Sequence, residues 1–486
     1  MAVIIESTVV RYGRMIGSVT PNRIAVLYGH QLIGKVDMSD IDSLIKIDQQ
    51  HLVHPLFHPS DHVDPMVWVE GHGATIRTAD GREFIDGLSG LWNVNVGHGR
   101  AELGEAAARQ MTELAYASAY TGNTNIPAIK LAEKLAERCY PSINHFFFTS
   151  GGGESNDSAF KTARFYWNAG GKPDKLKIIS LELGYHGVTL GAMNATGLDM
   201  YRPGFGPPMP GFLRIPPPYP YRFDRTDAAS DAGILAANLL EEAILREGPD
   251  TVAAFIAEPV QGVGGAIVPP DSYFPRIREI CDTHDVLLIA DEVITGFGRT
   301  GKWFALEHWG VEPDIISMAK GITSAYVPLG GIGLSDRVFR GLAEASPTKR
   351  WMHAYTYSGH PTCSAVALEN IAILEREGLV GLAAEKGARL LDGLRQLTGL
   401  DHVGEVRGLG LMAGIELVED KTTKETFDPA RKVGAKLHAE CVRRGLFSRF
   451  RNDIYVLAPP LVTSDEDIDR IVNIVGESIP AAVADH

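Results

Sequence analysis

From Ala101 onward the chain alternates short apolar runs with segments of helical periodicity. Apolar runs of five to eight residues without polar alternation are typical of strands covered on both faces. Strands that alternate with helices favour a layered α/β fold with a central, mainly parallel sheet. The runs are HFFFTS (145–150), LKIISLE (176–182), VAAFIAEPV (252–260), VLLIADEV (286–293) and DIISMAK (314–320).

The remaining segments suggest how the chain is divided. Residues 1–45 resolve into no clear element, and 51–65 are rich in His, Pro and Asp and predict a loop. After Cys363, a helical run, two strand patterns (GLMAGIELV and IYVLAPP) and a closing helix that starts at DEDID predict a smaller α+β domain. The predicted parts are an amino-terminal arm with the first piece of the small domain, a large domain, and the rest of the small domain: 1–100, 101–362 and 363–486.

Two proline-rich stretches, 203–219 and 268–275, interrupt this pattern. Proline removes a backbone donor and restricts the residue before it, so we predict loops at both places.

Composition narrows the class of partner. The chain has 486 residues and a formal charge of −14, which leaves no polyanion-binding surface for nucleic acid and favours a small-molecule substrate. Its four cysteines show no paired spacing, so we expect neither disulfides nor a zinc site, and a cytoplasmic location. No run reaches the ~20 apolar residues of a membrane span.

A glycine-rich turn follows the first predicted strand, in TSGGGESND. The backbone N–H groups of Ser150–Gly153 precede a predicted helix, where they would form a phosphate site. A plain glycine turn explains this stretch equally well when it is taken alone.

Charged residues end two later strands. An apolar strand delivers Asp291 and Glu292 to the sheet edge where open α/β sheets place ligands. Lys320 follows another apolar strand, where desolvation would lower its pKa and free the amine to react with an aldehyde. Most acids and lysines are simply solvated. Together, however, a phosphate cup, an acid for a ring nitrogen and an amine match the three polar handles of pyridoxal phosphate.

Several longer motifs resemble, in order, those of the class III aminotransferases. The resemblance covers about residues 50–475, and it implies a fold-type-I, pyridoxal-phosphate-dependent enzyme that forms a homodimer or a dimer of dimers. Its small domain would be built from both chain ends. The motifs are GYHG (184–187), AEPVQGVGG (257–265), IADEVITGFGRTG (289–301), MAKGITSAYVPLG (318–330) and YTYSGHPTCSA (355–365).

The resemblance assigns roles around the cofactor ring. Lys320 matches the Schiff-base lysine, and Asp291 matches the acid that keeps the pyridine nitrogen protonated. Tyr185 matches the aromatic residue above the ring and Val293 the aliphatic residue beneath it. Glu258 matches the acid of the EPxQG motif, to which we assign an orienting role near the cofactor.

The same resemblance assigns the phosphate contacts. Gly152 and Gly153 match the pair whose amides hold the phosphate, and Thr356 matches a hydroxyl that reaches the phosphate of the other subunit. The family usually has Ser or Thr at the position of Gly153. The missing hydroxyl places more weight on backbone amides in this chain.

Substrate preference depends on a few apolar positions. In the same family, subgroups acting on ornithine or 4-aminobutyrate carry Gln at the position of Ile294, and the ornithine type carries Glu at that of Val263. Both positions are apolar in this chain, which favours a different subgroup. Leu91 and Trp92 match pocket-lining residues of amine:pyruvate and β-alanine:pyruvate enzymes. We therefore expect transfer from β-alanine or an arylalkylamine to pyruvate in a ping-pong cycle. The alternatives are 4-aminobutyrate, ornithine or diamine donors with pyruvate or 2-oxoglutarate, and a decarboxylase or aminomutase of the same fold.

A mobile arginine would let one pocket accept both an apolar amine and a keto acid. Arg449 is the first candidate, followed by Arg451 and Arg407.

Three rival interpretations are weaker. GFGRTGKW (296–303) resembles a P-loop but has Trp303 where magnesium binding requires Ser or Thr. A binding protein without activity is disfavoured by intact Lys320 and Asp291. His54, His58 and His62 are spaced four residues apart, but the prolines between them exclude a regular helix, so we expect surface or interface histidines in a loop rather than a metal site.

Overall fold

The apolar runs of the sequence form the strands of one large sheet in the computed structural model, which describes residues 38–223 and 231–484. We number its seven strands in chain order. They are β1 (Ile143–Thr149), β2 (Lys177–Leu181), β3 (Phe212–Ile215), β4 (Val252–Ala257), β5 (Leu287–Asp291), β6 (Ile315–Met318) and β7 (Gly330–Ser335).

The strand order across this sheet is β1-β7-β6-β5-β4-β2-β3. Only β7 runs antiparallel to its neighbours, and the other pairings are parallel. The predicted mainly parallel sheet is therefore confirmed. Strands β4 and β5 are buried along their whole length, as their unbroken apolar sequences require.

Ten helices of eight or more residues lie in the described chain from Ala101 onward. They are Ala101–Glu113, Ile126–Arg138, Gly152–Ala169, Ala232–Glu247, Tyr273–Thr283, Asp336–Ala343, Pro361–Arg376, Leu379–Gln396, Val433–Arg443 and Asp465–Val483. Shorter helical turns include Ser89–Trp92 and Ala192–Ala195.

A second, antiparallel sheet forms near the carboxyl end of the chain. Its strands, in spatial order, are Val403–Gly408, Ala413–Leu417, Ile454–Leu457 and Arg449–Arg451. Both strand patterns predicted after Cys363 are found here, and the closing helix starts at Asp465 behind the capping side chain of Ser464.

Contacts divide the chain into two units. The smaller comprises residues 1–70 and 77–83, and the larger 71–76 and 84–486. The strands Trp68–His72, Thr75–Thr78 and Glu83–Asp86 cross the boundaries between them along the chain. Within the larger unit, Leu446–Phe447 pairs in parallel with Ile85 and Asp86. The domain limits expected at residues 100 and 362 remain a prediction.

Three predictions of irregular structure are wrong. Helix Met38–His51 begins inside the segment where no element is predicted, while residues 1–37 lie outside the described residues. The proline-rich stretch 203–219 contains strand β3, because its short FLRI run pairs with β2 at the sheet edge. Within 268–275, a helix starts at Tyr273, because Pro275 lies in its first turn, where a proline is tolerated.

Among the described residues, no helix combines the length and apolar character needed to cross a lipid bilayer.

Candidate active site

Lys320 lies just beyond the carboxyl end of β6, at the first residue of the turn Lys320–Ile322. Its backbone has φ +46°, a left-handed conformation that is unusual for a residue with a side chain and that recurs at functional sites. Desolvation lowers the pKa of Lys320 to about 8, although the charges of Asp291 and Glu258 oppose the shift. The lowered pKa leaves a minor fraction of the amine neutral near physiological pH, far more than a lysine with the ordinary pKa of 10.5 would have.

Asp291 ends the adjacent strand β5 and is 2% exposed. Its Oδ2 atom accepts a hydrogen bond from Asn156 Nδ2 at 2.8 Å and lies 2.7 Å from His186 Nδ1. Its Oδ1 atom accepts from the backbone N–H of Val293 at 3.1 Å. Three donors thus fix the orientation of this carboxylate.

Sequence reasoning missed Asn156 and His186 as supports of this acid. His186 follows Tyr185 within the GYHG motif, which draws attention to the tyrosine alone. Asn156 lies one helical turn after Gly152, so it shares a face with the glycine turn. Its amide also donates to the carbonyl of His186 at 2.8 Å, which joins the two supports.

Glu258 contacts the backbone of Tyr185 and is 4% exposed. Its Oε1 accepts from the backbone N–H of Tyr185 at 2.8 Å, and its Oε2 from that of Gly262 at 3.0 Å. Desolvation raises the pKa of Glu258 to about 7, against the lowering effect of these hydrogen bonds. The carboxyl group fixes the backbone that carries Tyr185, whose ring lies 5.4 Å from that of Tyr201.

The glycine turn opens helix Gly152–Ala169, with Gly151 as its N-cap. The first backbone N–H groups of a helix have no partner within the helix and attract anions. A Cβ atom at Gly152 would lie 2.9 Å from Val293 Cγ1, whereas one at Gly151 would meet no atom within 4 Å. Gly152 therefore allows the turn and Val293 to approach each other closely.

Glu292 does not join the site, despite following Asp291. Its side chain is fully buried and accepts from Tyr140 at 2.5 Å, from the backbone N–H of Leu306 at 3.1 Å and from Thr295. Burial raises the pKa of this carboxyl group. Its role is structural.

Trp92 ends the short helix Ser89–Trp92 and is 2% exposed. Lys320 Nζ lies 5.8 Å and Arg449 Cζ 5.7 Å from the centre of its ring. Both cationic side chains therefore lie within cation–π distance of the Trp92 ring. The neighbouring Leu91 is 47% exposed.

The other two candidate arginines are placed elsewhere. Arg407 is buried and donates to Glu405 at 2.5 Å, to Glu416 at 2.8 Å and to the carbonyl of Gly265 at 2.8 Å. Arg451 lines a separate cavity of about 520 Å³. Of the three, only Arg449 is near Trp92, which agrees with its first place in the sequence-based order.

Thr356 lies exposed in a turn, and its carbonyl accepts from Tyr116 in the same chain at 2.7 Å. Its contact with the phosphate of another subunit stays a prediction.

An amine, an oriented carboxylate and a helix amino terminus thus meet at the carboxyl ends of β1, β5 and β6. Asp291 pairs in register with Ser317, three residues before Lys320, so the two strands place acid and amine side by side. These groups fit the aldehyde, ring nitrogen and phosphate of pyridoxal phosphate. Fold and site together define a pyridoxal-phosphate-dependent transferase of fold type I.

Comparison with known proteins narrows the class. The sequence model of class III aminotransferases matches residues 57–479, and the chain belongs to this family. An (S)-enantioselective omega-transaminase from Thermomicrobium roseum is 46% identical, with a TM-score of 0.88 over 91% of this chain and 99% of that one.

Two curated relatives are similar over most of their length. The putrescine–pyruvate aminotransferase of Pseudomonas aeruginosa is 40% identical, across 85% of this chain and 90% of its own. The diaminobutyrate–2-oxoglutarate transaminase of Halomonas elongata is 41% identical, across 90% of this chain and 95% of its own. The chain is thus a pyridoxal-phosphate-dependent aminotransferase.

Proposed function

We propose that this aminotransferase moves an amino group from an apolar amine or ω-amino acid to pyruvate, with Lys320 as the cofactor-binding and proton-transferring residue. The position of Arg449 beside Trp92 and Lys320 carries this proposal, because it places an apolar wall and a carboxylate partner at one reacting centre. Bound pyridoxal phosphate would supply an aldehyde that condenses with amines and a ring that accepts the electron pair released at the substrate carbon.

The residues around Lys320 would orient the ring. Asp291 would hold the ring nitrogen protonated through a charge-assisted hydrogen bond, since Asn156 and His186 already fix its carboxylate. Tyr185 and Val293 would cover the two ring faces. The hydrogen bond from Tyr185 N–H to Glu258 supports this placement of the tyrosine.

The phosphate would lie at the helix that starts with Gly152 and Gly153, whose backbone N–H groups donate to anions. We propose that Thr356 completes the phosphate site of the other subunit in a homodimer. Its turn is exposed at the surface beside Tyr116, so its hydroxyl is accessible to a second chain. Pyruvate as acceptor and a cytoplasmic location remain predictions.

Lys320 would also carry the proton of the reaction. When the substrate amine occupies its place at the cofactor, the neutral amine of Lys320 would remove the proton from the substrate carbon and return a proton on the cofactor side of the substrate nitrogen. A pKa of about 8, rather than the ordinary 10.5, makes neutral amine available for this task near physiological pH. In the first half of the ping-pong cycle, water would release the aldehyde or ketone. In the second half, pyruvate would take up the amino group, lose its carbonyl oxygen as water and leave as alanine.

The first test measures both half-reactions on the holoenzyme. We expect 1-phenylethylamine or β-alanine to remove the visible absorption of the bound cofactor, and pyruvate to restore it with formation of alanine. Lys320→Ala should lose turnover altogether. Release of carbon dioxide instead of alanine, or turnover by the variant at nearly the wild-type rate, would overturn the proposal.

The carboxylate partner is tested by a matched pair of variants. Arg449→Leu should raise the KM for pyruvate by about 10- to 100-fold, because a charged hydrogen-bond donor contributes roughly 1.5–3 kcal/mol. Its half-reaction with 1-phenylethylamine should stay within about 3-fold of wild type, since this amine has no carboxylate. Arg451→Leu, two residues along the strand, is the control and should leave both rates unchanged. Equal effects of the two variants on pyruvate would contradict the assignment.

Diamines are the second candidate donors, because both curated relatives described above are named for substrates with two amino groups. Putrescine, tested beside 1-phenylethylamine, distinguishes the two classes. A kcat/KM for putrescine that exceeds those for 1-phenylethylamine and β-alanine would replace the arylalkylamine assignment.

A further inference from the structure

Three metal-ligating side chains converge in the smaller unit. Asp48 lies on helix Met38–His51, His54 follows the end of that helix, and His62 follows the short turn Pro59–Asp61. His54 Nε2 lies 2.8 Å and His62 Nε2 3.0 Å from the same oxygen, Asp48 Oδ2. The three ligand atoms all lie within 4.8 Å of one another.

The two imidazole rings lie side by side in a stack, with centroids 3.6 Å apart and an interplanar angle of 25°. Each ring directs its Nε2 atom to Asp48 Oδ2. Zinc binds histidine nitrogen and carboxylate oxygen at about 2.0–2.2 Å in a tetrahedron, which separates neighbouring ligand atoms by roughly 3.4 Å. That geometry requires side-chain rotations that lengthen each contact with Asp48 by about 0.5 Å and turn the stacked rings so that both Nε2 atoms point to one ion.

The backbone around the cluster is held by other contacts. Gln49 Nε2 donates to the carbonyls of His62 and Val63, both at 3.2 Å, which ties the loop to the helix that carries Asp48. His58 Nδ1 accepts from the backbone N–H of Ser60 and so caps the turn before His62. The ligands thus come from a pre-organised frame, which lowers the entropic cost of binding an ion.

Access and charge also suit a cation. The side chains of Asp48, His54 and His62 are 24%, 25% and 16% exposed, so solvent can supply a fourth ligand. A cleft of about 230 Å³ is lined by His54 and His62, and in addition by His51 and His58. Two imidazoles and a carboxylate form a ligand set typical of Zn²⁺ sites that retain water.

We propose that Asp48, His54 and His62 bind one Zn²⁺ ion per chain. The sequence predicts no metal here, because prolines exclude the helix that the spacing of His54, His58 and His62 would need. The structure brings three ligands together without such a helix. The third ligand comes from the preceding helix, while His58 serves the backbone of the turn. The ion would close the loop between residues 48 and 62.

The test is a zinc titration of the holoenzyme after treatment with a chelator, followed by calorimetry. We expect one equivalent of Zn²⁺ to bind the wild type, and the affinity of the double variant His54→Ala/His62→Ala to fall by more than about 100-fold. Co²⁺ in place of zinc should give visible absorption bands in the wild type that the double variant lacks.

Matched controls separate this site from other zinc-binding groups. His51→Ala and His58→Ala remove histidines that line the same cleft and should leave both the stoichiometry and the cobalt spectrum unchanged. The four free cysteines remain in every variant, so thiol binding would persist in all of them. Far-UV circular dichroism and the visible absorption of the bound cofactor verify that each variant is folded.

Two outcomes would overturn the proposal. One is the absence of a stoichiometric zinc-binding step in the wild type, and the other is equal zinc affinity in the wild type and the double variant. Neither outcome bears on the transferase activity, because the measured quantities are metal stoichiometry and spectrum rather than turnover.

Discussion

At the scale of single residues, burial changes what ordinary side chains can do. Lys320 and Glu258 both lose solvent, and desolvation favours the neutral form of each, so the pKa of the amine falls to about 8 and that of the acid rises to about 7. Asp291 instead receives two donors on Oδ2 and one on Oδ1. One small region therefore holds an amine that can be neutral beside a fixed acceptor.

The lowered pKa of Lys320 predicts how the apoprotein takes up pyridoxal phosphate. Only the neutral amine attacks an aldehyde, so the uptake rate should rise with pH and reach half its maximum near pH 8 rather than near 10.5. Stopped-flow absorbance at a series of pH values measures it. The charge of Arg449 also lowers this pKa, so Arg449→Leu should move the midpoint to higher pH. A midpoint above pH 10 in the wild type would contradict the prediction.

At the scale of elements, strand ends and a helix start create the site. The carboxyl ends of parallel strands share one edge of a sheet, which is why residues after β5 and β6 meet there. The turn before helix Gly152–Ala169 reaches the same edge because it follows β1. Gly152 is required at this junction by the nearby side chain of Val293 rather than by a left-handed backbone.

This contact predicts different results for neighbouring glycines. In Gly152→Ala the new methyl group would lie 2.9 Å from Val293 Cγ1, and relieving the overlap costs about 1–3 kcal/mol. We expect the affinity for pyridoxal phosphate to fall about 5- to 100-fold, measured by fluorescence titration of the apoprotein.

Gly151→Ala is the matched control. Its φ of 180° suits any residue, and the added methyl group meets no atom within 4 Å, so the affinity should stay close to that of the wild type. A larger loss in Gly151→Ala than in Gly152→Ala would contradict the steric argument.

At the scale of the whole molecule, a buried arginine joins segments that are far apart in the chain. Arg299, from the GFGRTG motif, donates to the carbonyl of Pro459 at 2.5 Å, to Ser89 Oγ at 2.8 Å and to Asn95 Oδ1 at 2.7 Å. Desolvation lowers the pKa of Arg299 to about 9. The segment that resembled a P-loop thus ties the early part of the larger unit to its carboxyl-terminal sheet.

Arg299→Leu should therefore destabilise the entire larger unit. It leaves several buried acceptors without a donor, at about 1–3 kcal/mol each, so we expect the free energy of unfolding to fall by about 3 kcal/mol or more. Differential scanning calorimetry of the holoenzyme would record a lower Tm. Arg395→Ala is the control, because its pair with Asp392 is exposed at the surface and contributes little. An unchanged Tm for Arg299→Leu would refute this role.

Local pattern was sufficient for the core of this fold. Five strands of the large sheet lie where apolar runs predict them, since residues buried on both faces must be apolar whatever surrounds them. Lys320 and Asp291 also stood out from sequence, because a strand end is a local feature. Strand β3 did not, since pairing with β2 stabilises it more than its own composition. Helix Met38–His51 did not either, because its apolar residues are interspersed with charged ones.

Tertiary structure alone decided which distant side chains meet. Asn156 and His186, which hold Asp291 in place, lie 135 and 105 residues from it in the chain. Arg407 forms ion pairs with Glu405 and Glu416, so it is not available to bind a substrate carboxylate. Asp48 joins His54 and His62 only once the loop folds back on its helix. Burial and strand ends are encoded by neighbouring residues, whereas these contacts depend on how separate elements pack in space.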